Sequence, residues 1–266
     1  MTAPHVCPAF VVSAENYDRL MGRYLPSLAP AFADAAGIGA SAEPRPRLLD
    51  VGCGPGGLTR ELVARAGTAN VAAIDPSSPF VEACRERNPG VDARTGVAED
   101  LPYAAGEFDA ALASLVVGFM SDPARGLAEM ARVTKPGGTV AACFWDPKRM
   151  PALGIFWTAA AAVDSAVTGE AHRPGGGRGE LAALLRAVGL EDVREDEITV
   201  EAEYADFDDW WSAYTLGVGP IGMYYDSLDD TTRCEVRAEC VRLLDHPNGP
   251  FTLRATCWFA AGAVPA

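Results

Sequence analysis

The chain has 266 residues, of which 49% are apolar and 22% charged, a composition that excludes a disordered or collagen-like chain and suffices for one large α/β domain with a full core. Its net charge of −14 at pH 7 argues against nucleic acid as a partner, because phosphate binding needs a basic face. No apolar run is long enough to cross a bilayer, and the first residues lack the features of a secretory signal, so we expect a cytoplasmic protein with no membrane partner.

The first half of the chain alternates between predicted helices and strands. Apolar residues at helical spacing predict a first helix over 15–36, which two glycines end. Beyond it, short apolar runs predict strands over 47–51, 71–74, 108–115 and 139–145, and helices over 57–66, 79–87 and 123–133, with a Pro-Gly-Gly turn at 136–138. This alternation is typical of βαβ units in a parallel sheet with helices on both faces.

The second half mixes further sheet with helical material. The patterns predict helices over 152–167, 180–188, 207–216 and 231–244, strands over 192–202 and 251–261, and a hinge-like glycine loop at 217–222. We therefore expect a doubly wound, mostly parallel α/β sheet in three parts. These are an N-terminal helical segment (1–46), a core (47–146), and a C-terminal part (147–266). The last part completes the sheet through about 176–202 and 250–262 and adds a helical cap over about 150–172 and 203–247.

A glycine-rich turn follows the first predicted strand of the sheet. The sequence from Leu48 to Gly57 reads Leu-Leu-Asp-Val-Gly-Cys-Gly-Pro-Gly-Gly and leads into a predicted helix. Glycines let a backbone approach a ligand closely, and the helix N-terminus behind them offers unpaired N–H groups. The same glycines satisfy G-x-G-x-x-G, the pattern of dinucleotide sites, so the turn alone leaves a nicotinamide cofactor open.

Two carboxylates narrow the choice of ligand. Asp50 stands two residues before the first glycine, where it would repel a pyrophosphate and suit a cationic amine. Asp75 ends the next predicted strand, where a carboxylate can accept hydrogen bonds from ribose hydroxyls. A capping role at a turn or helix is the alternative for each. S-adenosylmethionine, which has an ammonium group, a sulfonium and a ribose, fits both carboxylates.

Four sequence blocks together resemble a known family. They lie at 48–57, 73–75, 96–102 with Phe108-Asp109, and 132–138, the last reading Arg-Val-Thr-Lys-Pro-Gly-Gly. In this order they resemble class I S-adenosylmethionine-dependent methyltransferases, of the group with the ubiquinone/menaquinone C-methyltransferases and many small-molecule enzymes. The resemblance covers about 17–145. It implies a Rossmann-like fold, S-adenosyl-L-methionine as cofactor, S-adenosyl-L-homocysteine as product, and a small-molecule acceptor.

The resemblance also implies contacts to each part of the cofactor. The stretch from Tyr17 to Tyr24 resembles the helix that closes over the cofactor, and Arg23 is a candidate partner for its carboxylate. Other positions would contact its methionyl part, ribose, adenine and sulfonium. The implied cofactor-binding residues are Tyr17, Arg23, Asp50, Gly52, Cys53, Gly54, Asp75, Pro76, Ala98, Glu99, Ser114 and Leu115.

Departures from the family pattern concern the adenine and the acceptor. Related sequences often have Asp at the position of Val97, so the adenine contact falls to Glu99 or to backbone groups. They often have His or Asn where Gly118 stands, so Gly118 removes a possible base and leaves room for a larger substrate. Gly118, Trp145 and Trp211 are the predicted substrate-pocket residues, with core packing as the alternative for the tryptophans.

His172 is the best candidate for a catalytic base. It lies between the apolar helix over 152–167 and a glycine-rich loop, where a mobile lid could sit; a solvent-exposed loop histidine is the alternative. The seven cysteines contain no Cys-x-x-Cys and the three histidines lack metal-ligand spacing, so we expect neither a metal nor a disulfide framework.

These patterns together predict a small-molecule methyltransferase. Methyl transfer from a sulfonium is an in-line displacement that needs a base only when the acceptor must lose a proton. An enzyme of the same fold that binds the cofactor but catalyses a non-methylating step, such as a cyclisation, is the main alternative. A nicotinamide oxidoreductase and a binding protein with a vestigial site are less favoured. We expect a monomer or a homodimer, and the sequence leaves open whether O, N or C is methylated.

Overall fold

A seven-stranded sheet organises the chain in the computed structural model, which describes residues 12–39, 45–169 and 172–266. The spatial order is β3-β2-β1-β4-β5-β7-β6; the first five strands are parallel, while β7 runs antiparallel to both its neighbours. The strands are β1 (Leu48–Val51), β2 (Val71–Asp75), β3 (Asp92–Thr95), β4 (Phe108–Ser114), β5 (Thr134–Trp145), β6 (Glu191–Tyr204) and β7 (Phe251–Ala263). The predicted mostly parallel α/β sheet is therefore confirmed.

Helices cover both faces of this sheet. They are α1 (Ala14–Tyr17), α2 (Leu25–Ala35), α3 (Gly57–Ala66), α4 (Ser78–Arg87), α5 (Pro123–Val133), α6 (Pro151–Val163), α7 (Glu180–Ala187), α8 (Phe207–Ser212), α9 (Gly219–Ser227) and α10 (Asp230–Leu243). Within the described ranges, no helix combines the length and the apolar character that a membrane crossing requires.

Successive residues of β1 point into two separate hydrophobic cores. Leu48 packs into the core that α2, α3, α4 and the cap helices share, and Leu49 packs into the core under α5 and α7. Both side chains are fully buried, and burial of each leucine contributes about 1.5–3 kcal/mol. Burial on both faces explains why the parallel strands read as continuous apolar runs in the sequence.

The predicted first helix is broken. After α1 the chain forms a π-helical turn over Asp18–Gly22, and α2 starts only at Leu25. Pro26 lies in the first turn of α2, where the missing N–H is harmless, whereas in a continuous helix its ring would clash with the carbonyl of Gly22. We refer to residues 14–22 as the lid segment.

Two other local predictions were wrong, and one strand was missed. Strand β3 was not predicted, because it is a short edge strand in which only Ala93 is buried. Helix α9 replaces most of the predicted hinge-like loop; Pro220 lies in its first turn, and a Cβ on Gly222 would lie 2.4 Å from the carbonyl carbon of Gly217. The predicted Pro-Gly-Gly turn lies inside β5, where Gly137 has a φ of +75°.

Aromatic rings fill the helical cap. Phe156 of α6 contacts Trp211 at a ring distance of 6.0 Å and Tyr214 at 5.1 Å. The Tyr214 hydroxyl donates a hydrogen bond to the carbonyl of Ala152 at 2.5 Å. These contacts join α6 to the segment that contains α8, so the two sequence parts assigned to the cap pack together.

Candidate active site

The sheet order reverses between β1 and β4, because the chain leads from β1 towards β2 and β3 but from β4 towards β5. In open α/β sheets, ligands bind outside the carboxyl ends of the strands at such a switch point. The glycine loop follows β1 at this edge, Asp75 ends β2, and Leu115 follows β4. The topology therefore gathers the main groups that the sequence indicated.

The glycines of the loop have different reasons for lacking a side chain. A Cβ on Gly52 would lie 2.3 Å from Val116 Cγ2, and one on Gly56 would lie 2.4 Å from Asn88 Nδ2. A Cβ on Gly54 would meet no described atom within 4 Å, although its φ of +52° also favours glycine. Packing thus requires Gly52 and Gly56, whereas the open face at Gly54 fits a ligand lying against the backbone.

Asp75 links the glycine loop to the start of α4. Its Oδ2 accepts the N–H of Gly54 at 2.9 Å, and its Oδ1 accepts the N–H of Ser77 at 2.8 Å. Burial raises the pKa of Asp75 to about 6, against the opposing effect of these two hydrogen bonds. Each carboxylate oxygen has a further lone pair, so the side chain can still accept hydrogen bonds from a diol.

Asp50 is more deeply buried than Asp75 and accepts fewer hydrogen bonds. The Thr59 hydroxyl donates to its Oδ2 at 2.6 Å, while Oδ1 has no hydrogen-bond partner among the described residues. Burial raises the pKa of Asp50 to about 8, because the low-dielectric surroundings disfavour its charge. An unpartnered buried acceptor beside the glycine loop fits a cationic ligand group.

Cys53 lies within the glycine loop, and Ser114 ends the neighbouring strand β4. Cys53 is buried, and its thiol lies 3.5 Å from the carbonyl oxygen of Gly54. A hydrogen bond with the Cys84 thiol, together with burial, raises the pKa of Cys53 well above its ordinary value, so it is a neutral wall residue. The Ser114 hydroxyl, at the end of β4, lies 3.6 Å from Cys143 Sγ.

Glu99, which we predicted to contact the adenine, already accepts hydrogen bonds from within the protein. One oxygen of Glu99 accepts the N–H of Ser121 at 2.7 Å, its hydroxyl at 2.8 Å and the N–H of Asp122 at 3.2 Å. Ala98 is buried, and Pro76 follows Asp75 directly in the chain. Glu99 therefore fixes the segment before α5, and backbone groups are the better candidates for an adenine contact.

Arg23 is occupied by the cap. Its guanidinium forms a two-pronged contact with Asp209, at 2.9 Å and 2.5 Å, and donates to the backbone carbonyls of Arg19 and Glu203. The guanidinium also lies 4.9 Å from the ring centre of Tyr204. This side chain ties the lid segment to the cap, so we do not assign it to a cofactor carboxylate.

Tyr17 lies near the carboxylates of Asp75 and Asp50 and also lines a separate cavity. Its ring meets Phe80 of α4 edge-on at 5.3 Å. Burial and the nearby Asp75 and Asp50 carboxylates raise the pKa of the phenol. Tyr17 also lines a cavity of about 260 Å³, so it separates the glycine-loop site from that cavity.

The cavity is mainly apolar and aromatic. The lid segment, the ends of β4 and β5, and the cap each form part of its wall. Its described lining is Tyr17, Leu20, Met21, Leu115, Phe119, Phe144, Trp145, Pro147, Met150, Leu153, Gly154, Trp157, His172, Arg173, Gly176 and Val218–Ile221. Most of these residues were not singled out in the sequence, because their segments meet only in the fold. For the part of the wall that α6 forms, the signal was the apolar character of the helix predicted over 152–167.

Leu115 has a strained backbone at the junction of the two spaces. Its φ is +63°, a left-handed conformation that costs a non-glycine residue roughly 1–2 kcal/mol. The N–H of Leu115 donates to the carbonyl of Cys143 on β5 at 2.9 Å, which holds this conformation. Strain of this kind concentrates at functional sites, and here it marks where the cavity meets the carboxyl edge of the sheet.

Two of the three predicted pocket residues need correction. A Cβ on Gly118 would lie 2.4 Å from the Phe144 ring and 2.9 Å from Arg173 Cβ, so Gly118 leaves no room for a larger substrate. Trp211 packs against the rings of Phe156 and Phe207 in the core and is not in the described lining. The structure does place Trp145 in the cavity wall.

Comparisons with known proteins agree with this geometry. A family model described as "Methyltransferase domain" matches residues 49–142. The nocamycin O-methyltransferase of Saccharothrix syringae is 31% identical over an alignment 250 residues long, which covers 84% of this chain and 87% of that protein. The demethylmenaquinone methyltransferase of Renibacterium salmoninarum is 41% identical over 97 residues, 36% of this chain. That match spans only 40% of the relative's length.

A solved structure extends the likeness of the fold. The [4+2]-cyclase SpnF superimposes with a TM-score of 0.54 and 22% identity, over 90% of this chain and 81% of that one. Since one relative is similar over most of both chains, and since the glycine loop and Asp75 meet at the switch point, this chain belongs to the class I S-adenosylmethionine-dependent methyltransferases.

Proposed function

We propose that this protein transfers the methyl group of S-adenosylmethionine to a small, mainly apolar acceptor molecule. One observation carries the proposal: the open glycine loop and Asp75 adjoin an apolar cavity, with Tyr17 and Leu115 at the junction. This arrangement supplies one site for a polar nucleoside and a second for an apolar acceptor. The match to an O-methyltransferase over most of both chains favours an oxygen acceptor over nitrogen or carbon.

The residues at the switch point fit this cofactor. Asp75 would accept hydrogen bonds from the ribose hydroxyls, and the open face of Gly54 would lie against the methionyl part, between Gly52 and Cys53. The unpartnered Oδ1 of Asp50 would face the ammonium group. Pro76 and the backbone at Ala98 and Glu99 would border the adenine, and Ser114 and Leu115 would border the sulfonium.

The chain's main task in this reaction is to position the acceptor and exclude water. When bound, the cofactor supplies a methyl group already activated by the sulfonium, with a neutral leaving group. Leu20 and Met21 of the lid segment line the cavity together with the rings of Phe144 and Trp145. An apolar wall of this kind holds a ring-containing acceptor and leaves few sites for competing water.

Calorimetry tests the cofactor assignment. We expect S-adenosylmethionine and S-adenosylhomocysteine to bind, and NADH and NADPH not to bind; the reverse pattern would contradict the proposal. The reaction is tested by incubating the protein with methyl-labelled cofactor and a panel of apolar alcohols, amines and acids. Cofactor binding without formation of S-adenosylhomocysteine on any acceptor would favour a non-methylating step such as a cyclisation.

A further inference from the structure

A histidine–glutamate pair borders the acceptor cavity. His172 lines the cavity, and its Nε2 lies 3.1 Å from Glu180 Oε1. Glu180 is the first residue of α7, and its Oε2 accepts the N–H of Gly175 at 3.0 Å. The carboxylate is thus fixed by the backbone through one oxygen and contacts the imidazole through the other.

Two glycines allow the segment that carries His172 to lie at the cavity. A Cβ on Gly177 would lie 2.5 Å from Glu180 Oε1, and one on Gly118 would lie 2.9 Å from Arg173 Cβ. Arg173 then donates to the carbonyl of Gly118 at 3.2 Å, and its guanidinium lies 4.2 Å from the ring centre of Phe119. Because Gly118 has no side chain, Arg173 can pack against it. His172, which precedes Arg173 in the chain, lines the same cavity.

The contact with Glu180 determines which imidazole nitrogen can act. Nε2 lies 3.1 Å from the carboxylate, so Nδ1 is the ring nitrogen left to take a proton from an acceptor. The imidazole is 63% exposed, so a proton taken from the cavity can pass on to water.

No other described side chain of the cavity lining matches this capacity. Tyr17 and Arg173 are the other titratable groups in the described lining. Burial and carboxylates raise the pKa of Tyr17, so its phenol stays protonated, and an arginine stays charged near neutral pH. Among the residues described, His172 is therefore the titratable side chain of the lining whose neutral form offers a nitrogen lone pair.

We infer that His172 is the general base of the transfer, that Glu180 is its positioning residue, and that the acceptor is a hydroxyl compound of the phenol or enol class. This inference rests on the proposed function. The acceptor O–H bond breaks and its proton passes to His172 Nδ1. The new O–CH₃ bond forms while the C–S bond breaks, and that electron pair stays on the sulfur, which becomes a neutral thioether.

Binding of two matched probes tests the base. 2-Naphthol and naphthalene share one apolar body, and only the first carries a hydroxyl; quenching of tryptophan fluorescence reports both, because Trp145 and Trp157 line the cavity. We expect His172→Gln to weaken 2-naphthol binding about 3- to 10-fold and to leave naphthalene unchanged. We expect Glu180→Gln to reduce the difference between the probes. His246→Gln, in the turn after α10, is the control and should change neither affinity.

The pH dependence of probe binding and of methylation gives a second test of His172, because a purely structural role would not change it. The affinity of the wild-type protein for 2-naphthol should fall as the solution is acidified, while that for naphthalene stays constant. The rate of methylation of 2-naphthol should show the same acidic limb, and His172→Gln should lower this rate about 10²- to 10⁴-fold.

Equal responses of both probes, binding of neither, or an unmethylated 2-naphthol would overturn the inference. Calorimetry of S-adenosylhomocysteine on the same samples separates the two proposals. If that ligand fails to bind, the proposed function fails. If it binds and the probes do not discriminate, only the role of His172 fails.

Discussion

Two buried carboxylates at the switch point differ in their partners and therefore in their expected roles. Both oxygens of Asp75 accept backbone N–H groups, from Gly54 and Ser77. Asp50 receives one hydroxyl, from Thr59, and keeps one oxygen without a described partner. Asp75 is thus fixed in place by the backbone, whereas Asp50 keeps an acceptor that we expect a cationic ligand to engage.

Replacing Asp75 should weaken the binding of the cofactor. We expect Asp75→Ala to reduce the affinity for S-adenosylhomocysteine by about 1–3 kcal/mol, because charged hydrogen bonds to the ribose are lost. Calorimetry measures this effect. Asp229→Ala, which removes the N-cap of α10 far from the sheet edge, should lower thermal stability but not affinity. An unchanged affinity in Asp75→Ala would refute the ribose assignment.

Replacing Asp50 should change how stability depends on pH. Burial raises the pKa of Asp50 from 3.8 to about 8 in the folded protein, so its contribution to stability is complete below about pH 4 and is lost as the pH rises towards 8. Relative to wild type, Asp50→Asn should therefore gain up to about 1.4 kcal/mol in unfolding free energy per pH unit across this range. Urea unfolding at pH 5 and pH 7.5 measures the difference.

The same side chain should release a proton when the cofactor binds. An ammonium group beside Asp50 favours the carboxylate, so calorimetry near pH 7 in buffers of different ionisation enthalpy should show proton release that Asp50→Asn lacks. If the unfolding free energies of wild type and Asp50→Asn changed in parallel with pH, the raised pKa of Asp50 would be contradicted. Equal proton release in both would contradict the ammonium contact.

At the scale of the loop, open space rather than backbone angle distinguishes Gly54. Gly54 and Gly189 both have positive φ, at +52° and +85°, and a Cβ on either would meet no described atom within 4 Å. We expect Gly54→Val to abolish cofactor binding with the fold intact, because the side chain would enter the ligand's space.

The matched control is Gly189→Val, at the end of α7. Both variants should lose about 1–2 kcal/mol of stability through backbone strain, but only the first should lose affinity for S-adenosylhomocysteine. Normal turnover by Gly54→Val would show that the loop does not hold the cofactor.

Ion pairs hold the lid segment at Asp18, within it, and at Arg23, the residue that follows it. Asp18 pairs with Arg87 of α4 at 2.7 Å, and Arg23 pairs with Asp209 of α8. The π-helical turn between them supplies Leu20 and Met21 to the cavity. This element therefore connects the cofactor side of the core to the cap.

Breaking the second contact should loosen the lid. We expect Asp209→Asn to cost about 1 kcal/mol of stability, since the pair is partly exposed, and to speed amide hydrogen exchange over residues 14–22. Glu239→Gln removes a comparable exposed pair with Arg242 on α10 and should leave that exchange unchanged. Unaltered exchange in Asp209→Asn would show that the apolar contacts alone hold the lid.

At the scale of the whole molecule, negative charge is concentrated in the second half of the chain. Residues 146–266 carry 20 acidic and 10 basic side chains, and residues 1–145 carry 16 and 12. Much of the excess lies on β6, an edge strand whose exposed residues include Glu201 and Glu203. Charges on an edge strand discourage pairing with another sheet.

Screening this charge should stabilise the fold. Like charges repel within about a Debye length, so raising NaCl to about 0.5 M should increase the melting temperature by about 2–4 °C, the change that about 1 kcal/mol produces in a chain of this size. Calorimetric scans at low and high salt measure the shift. A melting temperature that falls with salt would mean that favourable ion pairs, rather than repulsion, dominate.

The sequence alone determined the sheet, the glycine loop and the position of Asp75. Parallel strands buried on both faces must read as apolar runs, and a tight turn before a helix must contain glycine, so both features are local. The edge strand β3 and helix α9 escaped prediction because the former buries one side chain and the latter contains two glycines and a proline.

Only the tertiary structure decided what surrounds each candidate side chain. The sequence suggested free space at Gly118, but Phe144 and Arg173 fill that space in the fold. It also suggested that Arg23 binds the cofactor carboxylate, but Arg23 pairs with Asp209 instead. Glu180 gave no signal beside His172 because seven residues of loop separate them in the chain. A side chain's chemistry is local, whereas its partners, burial and free volume come from segments that only folding brings together.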